Sequence, residues 1–265
     1  MFKSATSMLI AAFLTLVTGA LTILTPVLAQ SEVKSAFIDS DADGVLRGMA
    51  TYLKGLPSYT VSFDSDLEVL THDSEKLQFS SSGAVALERP GKLHATRRGG
   101  VIDAEFTYDG KSLTIHDRGQ KIYAQYDVLG SIDDALDTAR DVTGFHFAGA
   151  DLLYGDVYPG LNLEVRSATY IGVVMVNGIE AHHLAYRAKD IDWQIWVQTG
   201  EKPLPLKYVI TSKWMAAAPQ FSVRLRDWDT SPKLDAKNFM FTPPDGTRKV
   251  EEITVNQSGE IEVME

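Results

Sequence analysis

The sequence contains no cysteine among its 265 residues. Disulfide bonds, thiolate nucleophiles and thiolate metal ligands are therefore excluded, and a hydrophobic core must hold the fold together. The acylated cysteine that tethers a bacterial lipoprotein is absent as well. Basic residues are also few, with 25 Lys and Arg against 35 Asp and Glu and a formal net charge of −10. Such a chain repels phosphate backbones, so we expect no nucleic-acid partner.

Signatures of catalysis are scarce. The sequence has no Gly-x-Ser-x-Gly elbow, and residues 97–100, Arg-Arg-Gly-Gly, are predicted to form a turn and not a phosphate loop. His182 and His183 are neighbours on a predicted strand and face opposite sides, so they cannot bind one metal ion together. Residues 39–44 imitate the start of a calcium loop, but Ala50 stands where that loop needs a glutamate. We therefore expect no enzyme, no cofactor and no metal.

The first thirty residues have the composition of an export signal. After Lys3 no formal charge occurs until Glu32, and an apolar stretch covers residues 8–24. Short side chains at residues 27–29 suit a signal peptidase. We predict a signal peptide at residues 1–29 and a flexible leader at residues 30–40, which makes the protein periplasmic and soluble after cleavage. An uncleaved anchor is the alternative, because the apolar run approaches the roughly 20 residues that span a bilayer.

Two helices are predicted from apolar spacing. Leu46, Met49 and Leu53 lie on one face of a helix over residues 41–56, with Asp41 or Asp43 as its cap. A second helix begins after Ser131 and carries its apolar face on residues 132–142. A short apolar segment follows at residues 150–154.

Most of the remaining chain alternates between apolar and polar residues, as antiparallel strands do when one face is buried. Turn signals such as Asp109-Gly110 and Asn177-Gly178 separate the strands. The alternating apolar sets are residues 59–69, 77/79, 85/87, 113/115, 161/163/165, 193/195/197 and 221/223/225. This order predicts one α+β domain over residues 41–250, with helices on one face of the sheet and the second half of the sheet starting at Leu161. Residues 251–265 are an acidic C-terminal tail or a last strand.

Three local motifs resemble the LolA/LolB-like lipoprotein carriers. They are the Arg89-Pro90 pair, the Asp-Gly-Lys turn at residues 109–111 and the Phe-x-Phe-x-Pro-Pro segment at residues 239–244. A closer resemblance is to the predicted periplasmic proteins of domain-of-unknown-function family 2092. It rests on Met49 with Tyr52-Leu53, the turn at 108–111, Gly178 with His182-His183-Leu184, the segment 192–196 and Pro203-Leu204-Pro205.

The resemblance implies a curved, unclosed antiparallel sheet, a half barrel whose apolar concave face is covered by helices. It also implies binding of a lipid, a lipoprotein acyl chain or another apolar ligand in the groove between them. In the carriers the matching arginine is linked to closure of the lid, and a carbonyl of the lid is the partner expected for it here. The ligand-groove and lid candidates are Arg89, Val61, Phe63, Val85, Leu87, Ile132, Leu136, Ala139, Leu152 and Leu153.

Other interpretations stay open at this point. Arg89 can instead be a solvated residue beyond the end of its strand. The protein can be a cell-envelope interaction or scaffold module whose groove is filled by its own side chains, or a hydrolase of envelope components. Residues 211–219 are interpreted as a strand end packed into the core, and otherwise as a loop that offers Trp214 to a membrane surface or a partner. We expect a monomer whose partners are a lipid or a lipidated protein.

Overall fold

The computed structural model describes residues 37–144 and 149–263. The predicted signal peptide and most of the predicted leader lie outside the described residues. Within the described ranges, no helix is both long enough and apolar enough to cross a membrane.

A helix opens the domain. A two-residue strand, β1 (Phe37–Ile38), leads directly into α1 (Ser40–Gly55), so the last residues of the segment expected to be a flexible leader form a strand and the start of a helix. The carboxylate of Asp39 accepts backbone hydrogen bonds from Asp41 at 2.9 Å and from the next residue at 3.5 Å. The cap is therefore Asp39 and not Asp41 or Asp43, because the capping residue must precede the first helical turn whose N–H groups it satisfies.

Six antiparallel strands follow α1, each paired with the next. The predicted alternation and turn signals are confirmed here, and the Asp-Gly turn at residues 109–110 joins the fourth of these strands to the fifth. The six strands are β2 (Ser58–Leu70), β3 (Lys76–Glu88), β4 (Lys92–Gly99), β5 (Asp103–Tyr108), β6 (Ser112–Asp117) and β7 (Ile122–Asp127).

Three helical segments come next: α2 (Ile132–Thr143), a 3₁₀ turn (Ala150–Leu153) and α3 (Val157–Leu161). The predicted start of α2 is confirmed by a capping box. The backbone N–H of Asp134 donates to the Ser131 hydroxyl at 3.3 Å, and the backbone N–H of Ser131 donates to the Asp134 carboxylate at 2.7 Å. The helix therefore begins at a residue fixed by local hydrogen bonds.

The predicted strand at Leu161, Leu163 and Val165 is wrong. Leu161 ends α3, whose N-terminus is capped by the Asp156 carboxylate. Leu161 is buried while Leu163 is 71% exposed, so the residues that step by two do not share a face. The chain here forms a capped helical turn and a short loop instead of the strand that the alternation predicts. The sheet resumes at Ser167.

Five further strands complete the main sheet. They are β8 (Ser167–Val176), β9 (Ile179–Arg187), β10 (Ile191–Gln198), β11 (Pro205–Ser212) and β12 (Gln220–Asp229). Each pairs antiparallel with the next, and β12 pairs with β2, which joins the two halves into one sheet.

Over residues 37–144 and 149–263, the sheet has thirteen strands and does not close. Its order begins at β1, which pairs parallel with β8, and ends at β13 (Arg248–Lys249), which pairs parallel with β7. The two edge strands do not pair with each other. The predicted fold class, an α+β domain built on a curved and unclosed antiparallel sheet, is confirmed.

The core consists of two apolar clusters on the concave face. The first joins α1 to β8–β12 and contains Trp193, which stacks on Tyr186 with ring centroids 3.8 Å apart. The second joins α2 to β2–β7. The opposite, convex face is polar at its centre, where Arg226 pairs with Asp64 at 2.8 Å. Burial on one face only explains the period-two pattern of the sequence.

After β12 the chain crosses the convex face. In the segment that resembles the Phe-x-Phe-x-Pro-Pro motif, Phe239 is buried next to Lys92, and Phe241 contacts His116 and Tyr123. This crossing carries the C-terminus from the middle of the sheet to the β7 edge, where β13 pairs.

Beyond β13 the chain forms a separate hairpin of β14 (Ile253–Val255) and β15 (Ile261–Val263). Ile253 and Ile261 are buried in the second core cluster. The described part of the segment expected to be a tail or a last strand is thus a small second sheet that packs on the concave side. The free energy gained by burying its isoleucines exceeds the cost of its glutamate charges, because the glutamates lie in solvent.

Two local expectations have opposite outcomes. Trp214 is 70% exposed in the loop between β11 and β12, so its predicted burial is wrong.

The two histidines of β9 do face opposite sides: His182 shares a hydrogen bond with the Tyr170 hydroxyl, and His183 stacks on Trp196. Hydrogen bonding and packing therefore account for both rings.

Candidate ligand-binding groove

An apolar cavity lies between the concave face and the elements that cover it. The volume open to the centres of water molecules is about 190 Å³. The floor consists of side chains from β2–β6 and β12, and the cover consists of α2, the 3₁₀ turn and the C-terminal hairpin.

Cross-strand rows of apolar side chains form the floor. Because paired residues of neighbouring strands share a face, five of them form one continuous row across β2–β6. These residues are Val61, Val85, Ala95, Phe106 and Ile115. A row of this kind offers an extended contact surface for a hydrocarbon chain and has no backbone polar group unpaired in the sheet.

Most of the predicted groove residues meet in the cavity. Those that line it are Val61, Phe63, Val85, Leu136, Leu152 and Leu153. Leu87, Ile132 and Ala139 do not line it, which corrects the expectation for these three. They are fully buried between α2 and the sheet, because the apolar face of a short helix is mostly used to attach the helix to its sheet.

Arg89 lies beside the cover and not in the cavity. β3 ends at Glu88, so Arg89 belongs to the turn that follows. Its Nη2 donates to the backbone carbonyl of Tyr154 at 3.1 Å, directly after the 3₁₀ turn. The backbone N–H of Gly155 in the same connection donates to the Asp133 carboxylate of α2 at 2.7 Å. The end of the 3₁₀ turn is therefore tied to both the sheet and α2.

Sequence reasoning missed several lining residues. Phe221, Val223 and Leu225 of β12 face the cavity; their alternation was visible, but the pairing of β12 with β2 that brings them there was not. Val255 and Ile261 of the hairpin close another side. Their only sequence signal is a weak apolar pattern among glutamates.

The position of Arg97 also differs from the prediction made from the sequence. β4 continues to Gly99, so residues 97 and 98 lie in a strand and not in a turn. Leu93, Ala95 and Arg97 step by two, and all three line the cavity. That spacing was the available signal. Burial lowers the pKa of the Arg97 guanidinium.

Glu105 is the acidic residue in the strands that form the cavity wall, and its carboxylate lies on the face of the sheet away from the cavity. Its carboxylate accepts from His94 Nε2 at 2.7 Å and lies 3.3 Å from His116 Nδ1. The hydrogen bond from His94, supported by His116 and by the nearby charge of Arg118, lowers the pKa of Glu105 to about 2. The carboxylate is thus ionised and already occupied by neighbours. Within the described ranges no cluster of three or more His, Asp or Glu residues could hold a metal ion.

The site thus belongs to a curved, unclosed antiparallel sheet with an apolar cavity under its helices. The chain belongs to domain-of-unknown-function family 2092, a family of predicted periplasmic proteins, and the match covers residues 42–252. The resemblance drawn from the sequence motifs and the expected periplasmic localisation are confirmed. The hairpin at residues 253–263 lies beyond the matched region.

Solved structures with similar folds have low sequence identity. An uncharacterized conserved protein from Thermus thermophilus is 9% identical, with a TM-score of 0.48 over 80% of this chain and 99% of that one. LprF from Mycobacterium bovis is 14% identical, with a TM-score of 0.44 over 79% and 98%. A LolA superfamily protein from Nitrosomonas europaea is 8% identical, with a TM-score of 0.39 over 76% and 97%. No curated protein matches the sequence.

Proposed function

We propose that this protein binds a lipid, a lipoprotein acyl chain or another apolar ligand in its concave cavity and acts as a periplasmic carrier. The observation that carries the proposal is the cavity under the cover with its continuous apolar floor. Each methylene that leaves water for such a site stabilises the complex by about 0.8 kcal/mol. A chain of ordinary length therefore supplies enough gross binding free energy.

The same observation favours binding over the two other interpretations. A scaffold module with a self-filled groove would pack its side chains to interior density, which leaves few voids larger than a water molecule. A hydrolase needs an activated nucleophile or a free acid-base pair at its cleft. The acidic residue of the cavity wall, Glu105, is held by two histidines on the side of the sheet away from the groove.

Lipid mass spectrometry of protein purified from its own periplasm without detergent tests the proposal. We expect a stoichiometric amphiphile on the wild-type protein. Ala95→Trp, which fills the floor of the cavity, is expected to reduce bound amphiphile by about tenfold or more, since steric exclusion of this kind exceeds about 1.4 kcal/mol. Ala185→Trp is the matched control, because Ala185 is paired on β9 and β10 away from the cavity.

Two results contradict the proposal. One is wild-type protein that carries no amphiphile and does not take up an added fatty acid or phospholipid. The other is Ala95→Trp protein that remains folded and keeps the wild-type ligand content, since the apolar cavity would then not be the binding site.

We infer that Arg89 holds the cover closed over the ligand. Arg89→Leu removes the hydrogen bond to the Tyr154 carbonyl, and a hydrogen bond from a charged donor contributes about 1.5–3 kcal/mol. We expect the variant to fold and to release ligand about tenfold faster, measured as transfer of a fluorescent lipid to vesicles. Lys92→Leu, which removes a charge from the strand end that follows this turn, is expected to leave the release rate unchanged. Equal release rates for the Arg89 variant and the wild type would refute this role.

The donor and acceptor of the ligand follow from the same proposal. A carrier in the periplasm exchanges its ligand with a membrane surface or with a lipidated protein. Trp214, exposed in the β11–β12 loop, is a side chain of the type that inserts at a membrane interface. We propose that the protein does this as a monomer.

A further inference from the structure

Arg97 is a cation inside an otherwise apolar cavity. It lies on β4 two residues after Ala95, so its side chain points to the concave face. Apart from Arg97 and the occupied Glu105, the residues that line the cavity are uncharged. A guanidinium stays protonated in proteins, so the cavity carries a fixed positive charge.

The neighbours of Arg97 use only one of its donors. Its Nε donates to the Ser81 hydroxyl at 2.8 Å, and that hydroxyl shares a hydrogen bond of 2.9 Å with Ser65. These two serines are buried and uncharged. Among the described residues no carboxylate lies within 4.0 Å of the guanidinium nitrogens, and no hydrogen bond is formed by Nη1 or Nη2.

Several other arginines of the sheet pair with a carboxylate. Arg118 pairs with Asp103 at 2.6 Å, and Arg226 pairs with Asp64 at 2.8 Å, both outside the cavity. Arg98, the next residue after Arg97, points to the opposite face and lies 3.8 Å from Asp103. The unpaired guanidinium is therefore specific to the cavity side of the strand.

Small residues surround this guanidinium. Gly83 and Ala104 are its direct partners on the two neighbouring strands. Gly259 of the hairpin covers it from above, where an added methyl carbon would lie only 3.4 Å from Nη1. Side chains of this size leave the two Nη groups uncovered by apolar atoms of the sheet.

A charge that lines an apolar cavity without a counter-charge is unfavourable, and a bidentate oxyanion is the partner that matches a guanidinium in shape and charge. We propose that Arg97 binds the oxyanion of an anionic amphiphile, a carboxylate or a phosphate, whose hydrocarbon part lies along the apolar floor. This inference rests on the proposed function and adds the charge class of the ligand and the position of its head group.

Displacement of the uncharged dye N-phenyl-1-naphthylamine tests the inference. Palmitate, 1-palmitoyl-lysophosphatidate and the uncharged 1-hexadecanol compete for the dye on wild type, Arg97→Gln and Arg98→Gln. On wild type we expect both anions to compete about tenfold or more better than the alcohol, as a hydrogen-bonded charge pair implies. Arg97→Gln should remove this preference without weakening competition by 1-hexadecanol. Arg98→Gln should keep the preference.

The outcomes separate the two proposals. If neither the dye nor any competitor binds to wild type, the proposed function fails and the inference fails with it. If all three competitors bind wild type equally well, the apolar site stands and the role of Arg97 is refuted, whether or not Arg97→Gln folds. If Arg97→Gln weakens competition by 1-hexadecanol as much as competition by the anions, Arg97 only shapes the cavity and the inference is refuted. Arg97→Lys, which retains the charge, should recover part of the preference. If only palmitate or only 1-palmitoyl-lysophosphatidate competes better than 1-hexadecanol on wild type, that result identifies the oxyanion that the site prefers.

Discussion

Gly83→Ala is expected to lower the free energy of unfolding by about 3 kcal/mol, one of the largest effects available to a single methyl group in this protein. Gly83 lies in the middle of β3, where the added carbon would overlap the carbonyl oxygen of Thr96 on β4 and would lie 2.5 Å from Cζ of Phe63. Backbone cannot move aside as a flexible side chain can, so β3 and β4 must separate. Urea denaturation of the purified protein measures the change.

The matched control is Gly48→Ala in α1. No atom lies within 4 Å of its added methyl group, and alanine is favoured over glycine inside a helix by about 0.5–1 kcal/mol. We expect this variant to be slightly more stable than wild type. A Gly83→Ala protein of wild-type stability would show that the two strands are not packed as closely as described.

Gly83→Ala should also weaken ligand binding. The ring of Phe63 occupies the space above Gly83 and lines the cavity. A methyl group at residue 83 would push this ring into the cavity, so the substitution links the stability of the sheet to the shape of the groove.

Removal of the C-terminal hairpin, by ending the chain after Val250, is expected to cost about 4 kcal/mol of stability and to abolish tight ligand binding. Ile253 and Ile261 are buried in the core, and each buried isoleucine contributes about 1.5–3 kcal/mol. Val255 and Ile261 also line the cavity. The truncated protein should still fold, because most of both core clusters remains, and dye binding together with thermal unfolding measures both effects.

A full-length chain with Glu251→Gln and Glu252→Gln is the control for this truncation. Both glutamates are exposed, so the double variant removes charge from the segment but no apolar contact. We expect wild-type stability and binding from it. If the truncated protein bound the dye as tightly as wild type, the hairpin would not be part of the cover.

The local structure of this protein was largely predictable. Period-two alternation identified β2, β3, β6, β10 and β12, because one face of each is buried and the other is in water. The start of α2 was predictable from Ser131 and its acidic first turn. The failure at Leu161 has a specific cause: five residues with a capping aspartate can form a helical turn, and alternation over so short a span does not distinguish the two structures.

The amino-acid pattern thus predicts an export signal, most of the succession of helices and strands, and the apolar face of each predicted element. Which of these faces meet depends on the tertiary structure. The pairing of β12 with β2, the return of the hairpin to the concave side and the unpaired guanidinium of Arg97 all depend on contacts between residues far apart in the chain. Periodicity reports the side of a strand on which a residue lies, but it carries no information about its neighbours across the sheet. The groove is made of those neighbours.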